Sequence, residues 1–303
     1  MISVVGEALV DLVITPDGAV SAKLGGAPFN TARACARLGA EVRFAGAISV
    51  DRFGSMLADQ LAADGVDVTH AARVDAPTTL AAAELDESGS ATYRFYIDGT
   101  SAPMLDRLDP SALAADVVFT GGLGLVLEPM ASTVEAAIRS NRDRFVVVDV
   151  NCRPQIVPVR DAYVARVERI LPHVDVLKVS DEDLAFLGVG DDPVAAAREL
   201  LAAGPSAVLV TRGGDGVHVL TAGGSTVVAV QPVDVVDTIG AGDSFGAGFL
   251  ASWIGSERGR DEAADLDGLV QAVQAANQVA GVVVTRRGAD PPWRHELPAG
   301  WSS

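Results

Sequence analysis

The segment Asp237-Thr238-Ile239-Gly240-Ala241-Gly242-Asp243 sets a carboxylate beside a glycine-rich turn. It follows an extended run at Val233–Val236 and opens an apolar segment. There Phe245, Phe249, Leu250, Trp253 and Ile254 recur at helical spacing, which predicts one buried face. Gly240, Ala241 and Gly242 therefore sit at a helix N-terminus, where unpaired backbone N–H groups and the helix dipole favour an anion. Glycine's missing Cβ lets a phosphate approach the backbone closely. Asp243 has two readings, because a carboxylate beside an anion site weakens anion binding. It is a first-turn acid that complements the dipole, or it faces a hydroxyl that loses its proton while attacking a phosphoryl group. Gly246 and Gly248 inside the helix cost about 1 kcal/mol each relative to alanine, which implies close neighbours.

Other residues offer complementary chemistry. Gly25-Gly26 precedes a helix beginning near Pro28, and Asn30 supplies both a donor and an acceptor, for a ligand or for a local cap. Asp149-Val150-Asn151-Cys152-Arg153 ends a strand, the end at which ligands of open α/β sheets bind. Arg153 suits phosphoryl charge, sugar oxygens or a structural ion pair. Thr211-Arg212-Gly213-Gly214-Asp215-Gly216 follows another strand and fits a nucleotide or a plain hairpin turn. Ser180 reads as an N-cap with acids Asp181, Glu182 and Asp183 behind it. Two rival glycine readings fail. A short-chain dehydrogenase places its glycines after the first strand and pairs Tyr with Lys four residues on, but here Val167 follows Tyr163. A P-loop needs Gly-Lys-Ser/Thr, and neither Lys23 nor Lys178 lies in that frame. His70, His173, His218 and His295 lack paired-ligand spacing, which leaves a zinc site without support.

The elements that must carry these residues alternate. Strands are predicted at 2–5, 42–48, 116–120, 145–150, 174–179 and 207–211, with helices at 27–38, 53–63 and 271–285. Short Val-rich strands separated by helices indicate a parallel sheet covered on both faces, an α/β fold. Residues 78–85 and 91–97 instead form a hairpin about the turn-forming run 86–90. With an extended piece at 11–15, they predict a small sheet projecting as a lid, or an edge extension of the main sheet. The division is a core of residues 1–10, 24–76 and 101–303 and a β-lid of 11–23 and 77–100.

Composition removes whole classes of function. The 303 residues carry 23 positive and 40 negative side chains, a formal charge of −17. A surface so acidic repels phosphate backbones and anionic lipid, which argues against nucleic-acid and membrane roles. No apolar run reaches the roughly 18 residues a membrane span requires, and no signal peptide is visible. Cys35 and Cys152 read as buried thiols of a reducing cytoplasm.

Two motifs in order make the chain recognisable. Asp237-Thr238-Ile239-Gly240-Ala241-Gly242-Asp243 resembles the Asp-Thr-x-Gly-Ala-Gly-Asp signature of the PfkB (ribokinase-like) carbohydrate kinases, and Gly25-Gly26-Ala27-Pro28-Phe29-Asn30 resembles their Gly-Gly-x-x-x-Asn signature. The resemblance covers essentially the whole chain. It implies a ribokinase-like, mostly parallel central sheet flanked by helices, with a β-lid that often pairs in a homodimer. It implies that Asp243 is the catalytic base, that residues 240–242 form the anion hole, and that Asp11, Gly25, Gly26 and Asn30 bind a sugar. Thr211, Gly213 and Gly216, with Gly240, Gly242 and Asn277, fall to the nucleotide. The cofactors implied are ATP, Mg2+ and a monovalent cation (K+). The family's Asn-x-x-Glu, which orders the magnesium's water shell, is replaced by Ser180 and Asp183. The start Gly6-Glu7-x-Leu9-x-Asp11, the Gly-Gly-Ala-Pro turn and Asp149-x-Asn151-x-Arg153 look most like fructokinases. Tyr93 to Tyr96 and Phe29 are candidates for shaping the sugar pocket. A 2-keto-3-deoxygluconate kinase, a nucleoside kinase and a noncatalytic sugar-binding relative stay open.

Overall fold

Runs of four or five residues rich in β-branched and aromatic side chains, apolar at most positions, gain most when both faces are covered. The computed structural model describes residues 1–87, 91–141, 143–190 and 192–301, and in it these runs form the main sheet. In chain order the strands are β1 (Ile2–Val5), β2 (Leu9–Ile14), β3 (Val20–Gly25), β4 (Val42–Ala45), β5 (Ala47–Ser49), β6 (Ala72–Val74), β7 (Leu80–Leu85), β8 (Ala91–Tyr96), β9 (Val117–Gly121), β10 (Phe145–Asp149), β11 (Val176–Ser180), β12 (Ala207–Thr211), β13 (Val217–Thr221) and β14 (Gly224–Val228). The helices are α1 (Ala27–Arg37), α2 (Arg52–Ala63), α3 (Met130–Ser140), α4 (Arg160–Ile170), α5 (Asp181–Leu187), α6 (Pro193–Ala202), α7 (Ala241–Gly255) and α8 (Leu266–Val283).

The main sheet runs β14-β13-β12-β11-β10-β9-β1-β4, parallel from β4 to β12 and antiparallel through β13 and β14. Alternate residues of each strand enter opposite layers. Val117, Phe119, Phe145 and Val147 pack with α1, α2, α7 and α8, whereas Val118, Val146 and Val148 pack with α3 to α6. This period of two on a doubly covered sheet is the α/β architecture expected from the sequence.

Three expectations change. The single strand predicted at 42–48 breaks at Gly46, where a Cβ would stand 2.2 Å from the Gly6 carbonyl oxygen. The chain then leaves the main sheet, and β5 pairs with β6 instead. Helix α7 has no single apolar face. Residues 243–253 are all buried, because the helix lies between the sheet, α1 and α8, with Trp253 stacked on Phe145 and Phe249. Gly248 has the close neighbour its helix cost implied, since a Cβ there would stand 2.8 Å from the Ala276 Cα; Gly246 meets only ordinary contact with Phe119.

The second sheet has the order β3-β2-β7-β8, with β2 parallel to β7 and antiparallel pairs on either side. It is separate from the main sheet, not an edge extension of it, and begins at Leu9 and returns at Gly25. Part of the predicted turn, 88–90, lies outside the described residues. Phe29 is fully buried in the core and does not line a pocket. Among the described residues, no helix is long and apolar enough to cross a membrane.

Candidate active site

Helix α1 begins at Gly26, whose φ of 105° suits glycine and places Pro28 in the first turn. Asn30 follows one turn in, and its Nδ2 donates to Asp243 Oδ2 at 2.8 Å. Its Oδ1 is buried and has no partner among the described residues. The amide thus fixes one carboxylate oxygen and keeps one acceptor for a ligand hydroxyl. Thr31 Oγ1 donates to the Asp243 carbonyl at 3.4 Å, which ties the starts of α1 and α7 together.

Gly240 caps α7 with φ 77°, and a Cβ there would stand 2.6 Å from the Ala289 Cβ. The turn is braced from behind. Asp237 accepts from Ile239 N at 3.0 Å and from Gly288 N at 2.8 Å, while Val236 N donates to Val284 O. The first helical hydrogen bond is Ser244 N to Gly240 O, so the N–H groups of Gly242 and Asp243 have no partner among the described residues. Gly242 is exposed and Asp243 is buried. Unpartnered N–H groups and a sheltered carboxylate therefore occupy adjacent positions of one helix end.

Buried acids gather on the other side of that carboxylate. Gly25 lies against Asp11, for a Cβ on it would stand 2.3 Å from Asp11 Oδ2. Burial and the Asp243 charge push the Asp11 carboxyl up to about 6 against the pull of Arg153. Glu7 Oε1 accepts from Ala27 N at 3.2 Å, Oε2 has no partner among the described residues, and burial pushes the group up to about 7. Asp243 is also raised by burial, opposed first by the Asn30 hydrogen bond and then by Arg153 and Lys178. Arg153 itself is exposed, with Nη1 donating to Asn151 Oδ1 at 2.6 Å. Asn151 holds a left-handed φ of 38°, a strained conformation that asparagine tolerates.

The nucleotide candidates form a second group. Thr211 ends β12, and Gly213 and Gly216 shape its link to β13. A Cβ on Gly216 would stand 2.5 Å from the Val228 carbonyl oxygen, and Asn277 Nδ2 donates to the next carbonyl, Ala229 O, at 3.3 Å. Both ends of this candidate pocket thus meet the segment after β14.

Asp183 stands where the resemblance puts the magnesium's water shell, and its carboxylate makes the cap contacts that the sequence also offered. It completes a capping box with Ser180: Oδ2 accepts from Ser180 N and Oγ, and Oδ1 accepts from Cys152 N at 2.7 Å. Sequence reasoning quoted Glu7 and Asp149 within motifs but assigned no role to them or to Lys178. A charged residue one glycine beyond an apolar strand (Glu7), or inside one (Lys178), was the available signal. Lys178 Nζ donates to Asp149 Oδ2 at 2.7 Å with both side chains buried.

Residues 1–296 match the pfkB family of carbohydrate kinases. A fructokinase of Rhizobium leguminosarum bv. trifolii is 36% identical over 260 residues, 83% of this chain and 79% of that protein. A Xylella fastidiosa fructokinase with bound ATP superposes with a TM-score of 0.88 at 28% identity, covering 98% of this chain and 94% of that one. A Vibrio cholerae O395 fructokinase double mutant, in a form binding fructose, ADP and a potassium ion, gives a TM-score of 0.82 at 26% identity over 95% of this chain and 93% of that one. With the two glycine signatures at the starts of α1 and α7 and the match spanning the chain, this protein belongs to the pfkB family of carbohydrate kinases.

Proposed function

We propose that this protein transfers the γ-phosphoryl group of ATP to a primary hydroxyl of fructose. One observation carries the reading: Asp243 offers a sheltered carboxylate, oriented by Asn30, next to the unpartnered N–H groups of Gly242 and Asp243. Binding alone would be served better without that carboxylate. The acceptor is chosen from the fructokinase relatives and from the cluster of Asp11, Gly25, Gly26 and Asn30, whose acceptors suit several adjacent hydroxyls.

The steps follow from these positions. Asp11 and the free Asn30 Oδ1 hold ring hydroxyls, and the reacting hydroxyl donates to Asp243. As its oxygen bonds to the γ-phosphorus, the bond from phosphorus to the bridging oxygen of ADP breaks. The proton passes to Asp243 late, because a carboxylate is far too weak a base to ionise an alcohol beforehand. The 240–242 turn stabilises the phosphoryl oxygens, while Arg153 adds positive potential over Asp11 and Asp243. Thr211, Gly213, Gly216 and Asn277 take the nucleotide. Magnesium enters as part of the MgATP substrate, since the Asp183 carboxylate is committed to Cys152 and Ser180. We place K+ with the enzyme as its monovalent cation, on the strength of the Vibrio relative. The small sheet acts as a lid. Its Tyr93 lies within the field of Asp11 and Arg153, so closing it excludes water from the transfer. Pairing of lids in a homodimer and residence in the cytoplasm complete the reading.

The test is a coupled assay with MgATP and a panel of ketoses, keto-acids and nucleosides. A saturable preference for fructose is expected. Preference for 2-keto-3-deoxygluconate or a nucleoside overturns the choice of acceptor, and sugar binding without turnover overturns the kinase reading.

A further inference from the structure

Lys178 is one of two lysines in the chain, and arginine supplies every other basic side chain counted in its charge. It stands in β11, directly opposite Asp149 of β10, at the carboxyl end of the sheet. Burying an ammonium costs several kcal/mol, only partly recovered from one carboxylate partner. The pairing is also incomplete. Asp149 Oδ1 is buried with no partner among the described residues, and Lys178 Nζ has three donors of which Asp149 Oδ2 takes one.

Those remaining donors have a direction. A Cβ on Gly242 would stand 3.5 Å from Lys178 Nζ, so the ammonium lies immediately beside the anion turn, and its charge favours the ionised form of Asp243 through space. No side chain stands between, because residue 242 is glycine. The charges around the site favour a cation here: the ammonium acts on both Asp149 and Asp243, and Asp183 adds its negative charge to that of Asp149.

We propose that Lys178 is a further catalytic residue, a fixed ammonium that contacts the phosphoryl group as it passes from ADP to the acceptor, with Asp149 as the positioning residue that aims it. The proposal rests on the 240–242 turn being the phosphoryl site, as read above. A compact ammonium suits this place better than a guanidinium, which is broader and needs a planar set of acceptors. Lys178 neither gives nor takes a proton in the step. Its charge meets the negative charge spread over the three phosphoryl oxygens.

Two measurements test it. With whichever acceptor the unaltered protein phosphorylates best, Lys178→Met should lower kcat tenfold or more, while KM for the acceptor and Kd for ADP stay within threefold. Lys178→Arg should restore part of the loss, which a merely structural role would not produce. If the methionine variant does not fold, Asp149→Asn/Lys178→Met removes both buried charges and carries the same reading. The second measurement needs neither a variant fold nor an acceptor. In the unaltered protein labelled with 15Nζ-lysine there are two side-chain signals, distinguished by Lys23→Arg. The Lys178 signal should move when aluminium fluoride joins bound ADP as a phosphoryl mimic. A folded Lys178→Met protein that keeps kcat within tenfold, or a Lys178 signal unmoved by the mimic, overturns the proposal. Failure to phosphorylate any sugar overturns the functional reading instead and leaves the second measurement to decide the first.

Discussion

The two halves of the candidate site are built from opposite materials. The proposed acceptor half is made of side chains: Glu7, Asn30 and Asp243 are buried and Asp11 is half-buried, and its three carboxyls are held above their ordinary values by burial. The proposed phosphate half is made of backbone: the N–H groups of Gly242 and Asp243 have no partner among the described residues, with Lys178 as the buried charge beside them. The difference follows from the tasks. Recognising hydroxyls and taking a proton needs acceptors of tuned basicity, which burial supplies. Holding a multiply charged phosphate needs dipoles that are already oriented and cannot themselves be protonated or repelled.

That contrast breaks most sharply at Asp243, which belongs to both halves. Asp243→Asn keeps the shape and one acceptor oxygen but removes the base. We expect kcat to fall on the order of a thousandfold, with Kd for ATP unchanged or lower because a negative charge beside the anion turn is gone. Steady-state kinetics and calorimetry check this together, and retained turnover means that another group takes the proton. In the unaltered protein, kcat/KM should decline as pH drops through a value above the usual carboxylate range. The sign follows from burial: it favours the protonated form of Asp243, and a protonated carboxyl cannot accept the hydroxyl proton.

Next in size come the two glycines, one in each half. Gly240→Ala meets Ala289 and a left-handed φ at once, so the turn must shift away from its phosphoryl position. A loss in kcat of roughly a hundredfold is expected, comparable to deleting an oxyanion donor, with acceptor binding preserved. Gly25→Ala drives a methyl into Asp11 instead. Its expected signature is reversed: KM for the sugar rises roughly tenfold, in line with losing one charged hydrogen bond, and KM for ATP stays put. If both substitutions moved the same constant, the division of labour would be wrong.

Legibility in the sequence followed the same division. The backbone half announced itself, because a cradle made of N–H groups needs glycines at fixed spacing before a helix, and spacing is what a sequence displays. The parallel sheet was equally visible in its Val-rich runs. What stayed hidden depended on contacts between distant segments. Glu7 reaches Ala27 twenty residues on, and Asp149 meets Lys178 across neighbouring strands. Locally each is only a charged residue at or beside an apolar strand, and nothing nearby names its partner. Asp183 kept two readings for a related reason, since a capping box and a water-mediated metal site use the same residue types at the same spacing. Helix α7 read as amphipathic because its small residues, Gly246, Ala247, Gly248 and Ala251, register as neutral, although they are the surface on which the neighbouring elements close.

The last contrast concerns stability. Glu7 supports the Gly25-Gly26 turn through Ala27 N, yet its other oxygen is buried without a partner, so the fold prefers it protonated. An unfolded glutamate ionises near the ordinary value of 4.5, whereas the folded one holds its proton to about 7. A raised folded value stabilises the native state fully below the unfolded value, and that contribution drains away as pH rises through the folded one. The amount at stake is on the order of 3 kcal/mol. Glu7→Gln, neutral at every pH, should therefore match the unaltered protein near pH 4.5 and exceed it in denaturant midpoint near pH 8, with the gap opening between those values. A gap that is constant with pH would place the ionised carboxylate in a better-solvated setting than its burial allows, and would remove Glu7 from the set of raised acids that distinguishes the acceptor half.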